Sequence, residues 1–228
     1  MLFLHETHEI IGGKMADFDA ALRDVWRPLI EADGKARVLW HWHLTHGTGI
    51  SYQAVTITAL SDWAAWAAIV GRMRDDAGWR RWWELCSNLR RDVVGKFLLP
   101  TSWSPLQTVD FSSTIPSDAP PSLYLHDTGW PHSGKLEAYV EALGNVFYPQ
   151  TRRSRMIQVE ACWTTCPGTG RHHEVVLLQR ILDWPAFSRL LTEGERVPQP
   201  GEWMIEGLKY RDRWESKLLR TAAWSPRR

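Results

Sequence analysis

Apolar positions along the chain follow two alternating spacings. Leu2 to Glu9 is spaced as a strand, with Leu2 and Leu4 on one face and Phe3, His5 and Thr7 on the other. From Lys14 the apolar residues Met15, Phe18, Leu22 and Val25 step by three and four, which predicts a helix with one stripe turned to a sheet. Pro28 is expected to end or kink it. Arg37 to His46 and Ser51 to Leu60 are β-rich runs joined by Gly47-Thr48-Gly49, a turn able to supply positive φ, so they predict a hairpin. Asp62 stands where an N-cap belongs, ahead of a helical region carrying Trp63, Trp66, Trp82 and Trp83. A last strand over Lys96 to Trp103 completes the order β-α-β-β-α-β.

The same order then repeats at a constant offset of 121 residues, with no gap. Leu2-Phe3-Leu4-His5-Glu6-Thr7 meets Leu123-Tyr124-Leu125-His126-Asp127-Thr128, and Asp62-Trp63 meets Asp183-Trp184. Over the 106 positions from Leu2 to Gln107 against Leu123 to Arg228, 26 are identical. Residues 1–107 are therefore one repeat and 123–228 the other, and the Pro-, Ser- and Asp-rich stretch 108–122 reads as a linker. Each repeat follows the ferredoxin-like plan, which covers one face of its sheet with helices and leaves the other bare. A second copy is the expected cover. The predicted fold is thus α+β: two tandem ferredoxin-like βαββαβ units forming an intramolecular dimeric α+β barrel, with a cavity between the sheets.

Composition removes several functions. With 44% hydrophobic and 23% charged residues, and no run of ~18 apolar ones, the chain reads as globular with no membrane span. Its 27 basic and 26 acidic residues nearly cancel, so no field draws it to nucleic acid or to an acidic lipid surface. Three cysteines make no disulfide framework, and Met1 to Glu6 lacks a basic segment ahead of apolar residues, so a cytoplasmic protein is expected. Of the 15 tryptophans, Trp63, Trp82 and Trp103 have counterparts in Trp184, Trp203 and Trp224, and so belong to the repeat architecture. Trp26, Trp79 and Trp83 lack such counterparts, and a homo-oligomer contact through these Trp-rich helices is the expectation.

Leu-x-Leu-His-x-Thr, Gly13-Lys14, Gly47-Thr48-Gly49, Asp62-Trp63 and Trp103-Ser104-Pro105 recur in order in the second half. Gly134-Lys135, Gly168-Thr169-Gly170, Asp183-Trp184 and Trp224-Ser225-Pro226 are the recurrences. This pattern resembles the NIPSNAP family within the dimeric α+β barrel superfamily, over both repeats and not the linker. The resemblance implies a barrel of two ferredoxin-like units. Superfamily relatives include cofactor-free monooxygenases, polyketide cyclases, lactone isomerases and haem enzymes, so the fold alone names no reaction.

Strand alternation selects the cavity-facing residues. If the aliphatic faces meet the helices, His5 and His126 turn into the barrel, with Phe3 and Tyr124 as aromatic walls beside Trp103 and Trp224. In the second strand Val38, Trp40 and Trp42 form an apolar face, which sends His41 and His43 inward; the same count sends Glu160 and Cys162 inward in the second repeat. Glu174, matching Gln53, is expected near the hairpin end. His41, His43 and Glu160 differ between the repeats, as site residues do, and an imidazole beside a carboxylate suits proton abstraction from an activated carbon or phenol. The expected activity is cofactor-independent isomerisation, cyclisation or oxygenation of a small hydrophobic, aromatic or polyketide-like molecule. His5, His126, Phe3, Tyr124, Glu174, Trp103 and Trp224 would position that molecule. The alternatives are a non-catalytic ligand-binding or interaction module, haem on His5 or His126, and a metal on His41 and His43. A zinc set from Cys162, Cys166, His172 and His173 is weaker, because its spacing matches no standard knuckle.

Overall fold

A computed structural model describes residues 1–112, 120–171, 173–193 and 201–228, apart from the side chains of residues 201 and 202. It contains two compact units that do not coincide with the repeats. Unit 1 is Met1–Leu99, Thr108–Pro121 and Leu219–Arg228, and unit 2 is Pro100–Gln107 and Ser122–Leu218. Each repeat therefore contributes its last segment to the unit built mainly from the other.

In unit 1 the strands β1 (Leu2–Ile10), β2 (Ala36–Leu44), β3 (Gln53–Leu60) and β4 (Arg90–Pro100) lie antiparallel in the order β4-β1-β3-β2. The end of β8 (Arg213–Thr221) adds to β2, pairing Trp42 with Thr221 and Leu44 with Leu219. The first helix does not stop at Pro28. α1 (Met15–Ala21) runs through a π-helical turn at Leu22–Trp26 into α2 (Arg27–Glu31), whose first turn holds the proline. Unit 2 repeats the device with α5 (Leu136–Ala142), a π turn at Leu143–Phe147 and α6 (Tyr148–Ser154) around Pro149, so it belongs to the fold and not to one site.

The Trp-rich region of the first repeat is two helices. Asp62 caps α3 (Trp63–Asp75) by accepting from the Ala65 N–H, as the sequence predicts, and Asp76 caps α4 (Ala77–Leu89) by accepting from Gly78 and Trp79. That second cap sets the stripe Trp79, Trp82, Cys86 and Leu89 inward, at helical spacing. Trp26 packs edge-on against Trp79 at 5.4 Å and beside Trp82 at 5.0 Å. The expectation that Trp26 and Trp79 face a second subunit is thus corrected, since both are core; Trp83 is exposed. β4 begins at Arg90, six residues before Lys96, and ends at Pro100, so Trp103 lies beyond the strand.

Unit 2 orders its strands β8-β5-β7-β6, with β5 Leu123–Trp130, β6 Ile157–Thr165 and β7 Val175–Ile181. α7 (Trp184–Glu193) is capped by Asp183, which accepts from the Ala186 N–H at 2.9 Å, and α8 (Gly201–Glu206) follows. Tyr139, Leu143, Phe147, Phe187 and Trp203 form its core against Val159, Cys162 and Leu177. No helix among the described residues is long and apolar enough to cross a membrane.

Candidate functional site

A single extra residue in β2 decides which side chains meet. Its register against β3 shifts between Val38 and Trp40, so Leu39 forms a β-bulge. Val38 pairs with Thr58 and His41 with Thr56, two residues of one β3 face, whereas Trp40 pairs with Ile57. β1 follows the alternation read from the sequence, with Glu6 opposite Thr56 and His5 opposite Ile57. Glu6, Thr56 and His41 consequently share the face under the helices, and His5, Ile57 and Trp40 share the other. The expectation that His41 and His43 lie on the His5 face is corrected: counting by twos from Val38 goes wrong at the bulge, and every later residue of the strand changes face. Trp40 and Trp42 take the opposite side, stacked at 5.4 Å, with the Arg227 guanidinium 5.0 Å from the Trp40 ring.

Under the helices both histidines meet α1. His41 Nε2 lies 2.7 Å and His43 Nε2 2.8 Å from the same oxygen, Oδ1 of Asp19. The His41 ring is wholly buried, while His43 and Asp19 keep 17% and 21% of their side-chain exposure, so the group is closed behind and open in front. His41 stacks on Trp224 at 5.1 Å, meets Phe18 at 6.3 Å, and lies edge-on to His43 at 5.2 Å. Its backbone is pinned on both sides, donating to Ser225 Oγ and accepting from the Ala222 N–H, each at 3.0 Å. Among the described residues neither His41 Nδ1 nor Trp224 Nε1 has a hydrogen-bond partner. Burial works to raise the Asp19 carboxyl, but the hydrogen bonds and charges of the two histidines outweigh it and bring it to about 2. Burial lowers His41, against the pull of Asp19.

Deeper on the same face His8 is held between Arg90, 2.9 Å from its Nδ1, and the Thr56 hydroxyl, 3.2 Å from its Nε2. Burial, Arg90 and His41 hold it well below the usual imidazole range. Burial lifts the Glu6 carboxyl to about 7 despite Arg90. Its counterpart Asp127 rises to about 6 for the same reason, against bonds from Ser216 and Gln179 and the charge of Arg211. A carboxyl and an arginine at these positions occur in both units and therefore serve the fold.

The second repeat keeps the backbone pattern and loses the chemistry. Cys162 donates its N–H to Ser104 Oγ at 2.9 Å and accepts from the Thr101 N–H at 3.0 Å, as His41 does with Ser225 and Ala222. Yet Cys162, Thr164 and Val140 stand where His41, His43 and Asp19 do, and burial pushes the Cys162 thiol up to about 12. Trp103 donates to the Val140 carbonyl at 2.8 Å, whereas Trp224 lies on an imidazole.

The remaining candidates stand apart from this group. Glu160 is the bulge residue of β6, between Val159 and Ala161, and pairs with Arg180 at 3.2 Å in unit 2. The carboxylate that meets the two imidazoles is instead Asp19, which strand reasoning passed over. Its signal was available, as another ionisable residue of the first repeat replaced in the second. Glu174 accepts from Trp130 Nε1 and Thr165 Oγ1, each at 3.2 Å, at the hairpin end of unit 2. Phe3, His5, Tyr124 and His126 are buried on the faces turned away from the helices of their units. His172 lies outside the described residues.

No protein-family model matches the chain, and no curated protein does. Among solved structures, an uncharacterised NIPSNAP domain protein from Burkholderia xenovorans is 24% identical, with a TM-score of 0.40 over 46% of this chain and 99% of its own. A candidate monooxygenase from Fusobacterium nucleatum matches 96% of this chain and 91% of its own, at a TM-score of 0.62 and 7% identity. An anthrone oxidase-like protein matches 97% and 91%, at 0.61 and 8%. At such identities the likeness is one of fold, and for the candidate monooxygenase and the anthrone oxidase-like protein it extends over nearly the whole chain.

Proposed function

We propose that the chain is a small-molecule enzyme whose proton-transfer centre is the Asp19–His41–His43 group of unit 1. The observation that carries this reading is one carboxylate oxygen shared by two imidazoles at 2.7 and 2.8 Å, one ring fully buried and the other reaching solvent. Asp19 and the packed His41 hold the His43 ring in place, and His43 is the group that a substrate can reach. The substrate class is a small hydrophobic molecule with a phenol or an activated methylene, aromatic or polyketide-like. Its proton passes to His43, and the anion left behind rearranges, cyclises or reacts with dioxygen. In the oxygenation of a methylene, one oxygen atom becomes the new carbonyl and the other leaves as water with both methylene hydrogens. The whole-chain likeness to a candidate monooxygenase and an anthrone oxidase-like protein supports the oxygenation branch.

The test starts with a thermal-shift screen of phenolic and polyketide-like compounds, followed by product analysis and oxygen uptake for each binder. His43→Ala is expected to lower turnover by roughly 100-fold or more, the range of a lost general base, with little change in Tm. Full turnover per folded molecule in that variant would overturn the reading. So would binders that the native protein never converts, which would make the chain a ligand-binding module.

A further inference from the structure

We infer that Asp19, His41 and His43 form a binding site for one divalent first-row transition metal ion, in unit 1 alone. The inference rests on reading this group as the centre of the molecule's chemistry, and it adds an occupant. Two imidazole nitrogens and a carboxylate oxygen, one atom from each side chain, lie within 4.8 Å of one another. Three ligands at ~2.0–2.2 Å from one ion stand roughly 3–3.5 Å apart, so small side-chain movements suffice. Both histidines already direct Nε2 at the oxygen that would be the third ligand. They come from alternate residues of one strand, and β2 is fixed there by its pairing with β8 and by Ser225 and Ala222. A site on a rigid strand needs little ordering when the ion arrives.

The donor set favours borderline metals such as Co(II), Ni(II), Zn(II) or Fe(II), and two histidines with one carboxylate leave coordination positions open. Those positions lie on the side where His43 and Asp19 reach solvent. Binding requires each imidazole to carry its proton on Nδ1, and the proton now on Nε2 moves there or leaves to water as the metal bond forms. His43 then has no lone pair left for a substrate proton, so metal loading and imidazole proton transfer exclude each other. Unit 2, with Cys162, Thr164 and Val140 at the matching positions, lacks the set.

The experiment titrates the untagged, chelator-treated full chain with CoCl2, reading visible absorption and calorimetry. The expected result is one Co(II) per chain with a Kd at or below about 10 μM. His43→Ala and Asp19→Ala are each expected to weaken binding by more than about 100-fold, beyond the cost of an outer-shell change. X-ray absorption of the loaded native protein is expected to show two imidazoles and no sulfur, a reading independent of how the variants fold. Absence of binding up to about 1 mM would overturn the site, as would sulfur in the metal's shell, two ions per chain, or binding untouched by both substitutions. Turnover is measured separately on metal-free and loaded protein. A loaded form that alone turns over would end the imidazole-base reading and leave the metal site standing. An active chain that binds no cobalt would do the reverse.

Discussion

Above about pH 4.5, one pH response of this molecule comes from a residue outside its candidate site. Glu6 is lifted to about 7 from 4.5 because burial penalises its charged form. A raised carboxyl stabilises the fold when protonated: the contribution is complete below about pH 4.5 and is lost as pH rises through about 7. Glu6→Gln removes this dependence, so the variant's Tm should gain on the native Tm between pH 4.5 and 8, on the order of 5 °C. A constant difference across that range would show that Glu6 is ionised in the fold at low pH. The sequence displayed Glu6 and Asp127 only as a matched pair. Their burial follows from β1 and β5 lying beneath helices, and the strand alternation did place those faces correctly. Asp19 was hidden for another reason, since a lone aspartate on a helix carries no partner in its own periodicity. Its partners are two strands' worth of sequence away, and the difference from Val140 is its one local mark.

At the level of elements, the helices and strands were legible because their apolar spacing and caps are local. The bulge at Leu39 was not, because a register shift is decided by the partner strand, here the alignment of Thr58 and Thr56 on β3. The same shift between Val159 and Ala161 in β6 makes it a property of the repeat. The split of the Trp-rich helix at Asp76 is of the local kind and can be weighed directly. Asp76→Ala removes acceptors for Gly78 and Trp79 and should cost about 1 kcal/mol by urea denaturation. A near-zero change would show that Trp79 and Trp82 fix the start of α4 without the cap. Trp42→Ala should cost more, ~3–5 kcal/mol, because the ring is fully buried on the face away from the helices.

For the whole molecule, the consequential feature is that each repeat finishes in the other's unit. Leu219–Arg228 belongs to unit 1, where Ala222 and Ser225 bond the His41 backbone and Trp224 covers its ring. Pro100–Gln107 belongs to unit 2, where Thr101 and Ser104 bond Cys162 and Trp103 bonds Val140. Tandem motifs delimit the repeats but do not reveal this exchange, because the Trp-Ser-Pro motif shared by both end segments fits either unit as far as the sequence goes. The exchange predicts a crossed response to substitution. Trp224→Ala, near the C-terminus, should speed amide exchange in β2 around His41 and leave β6 unchanged. Trp103→Ala, at the end of the first repeat, should loosen α5 and β6 around Cys162 and leave β2 unchanged. Each ring is partly exposed, so ~2 kcal/mol of local stability is the expected loss, below that of a fully buried tryptophan. Hydrogen exchange followed by mass spectrometry separates the two units peptide by peptide. If Trp224→Ala instead loosened unit 2, the C-terminal segment would be stabilising its own repeat, and neither the pinning of His41 nor the fixed geometry of the Asp19 group could be credited to it.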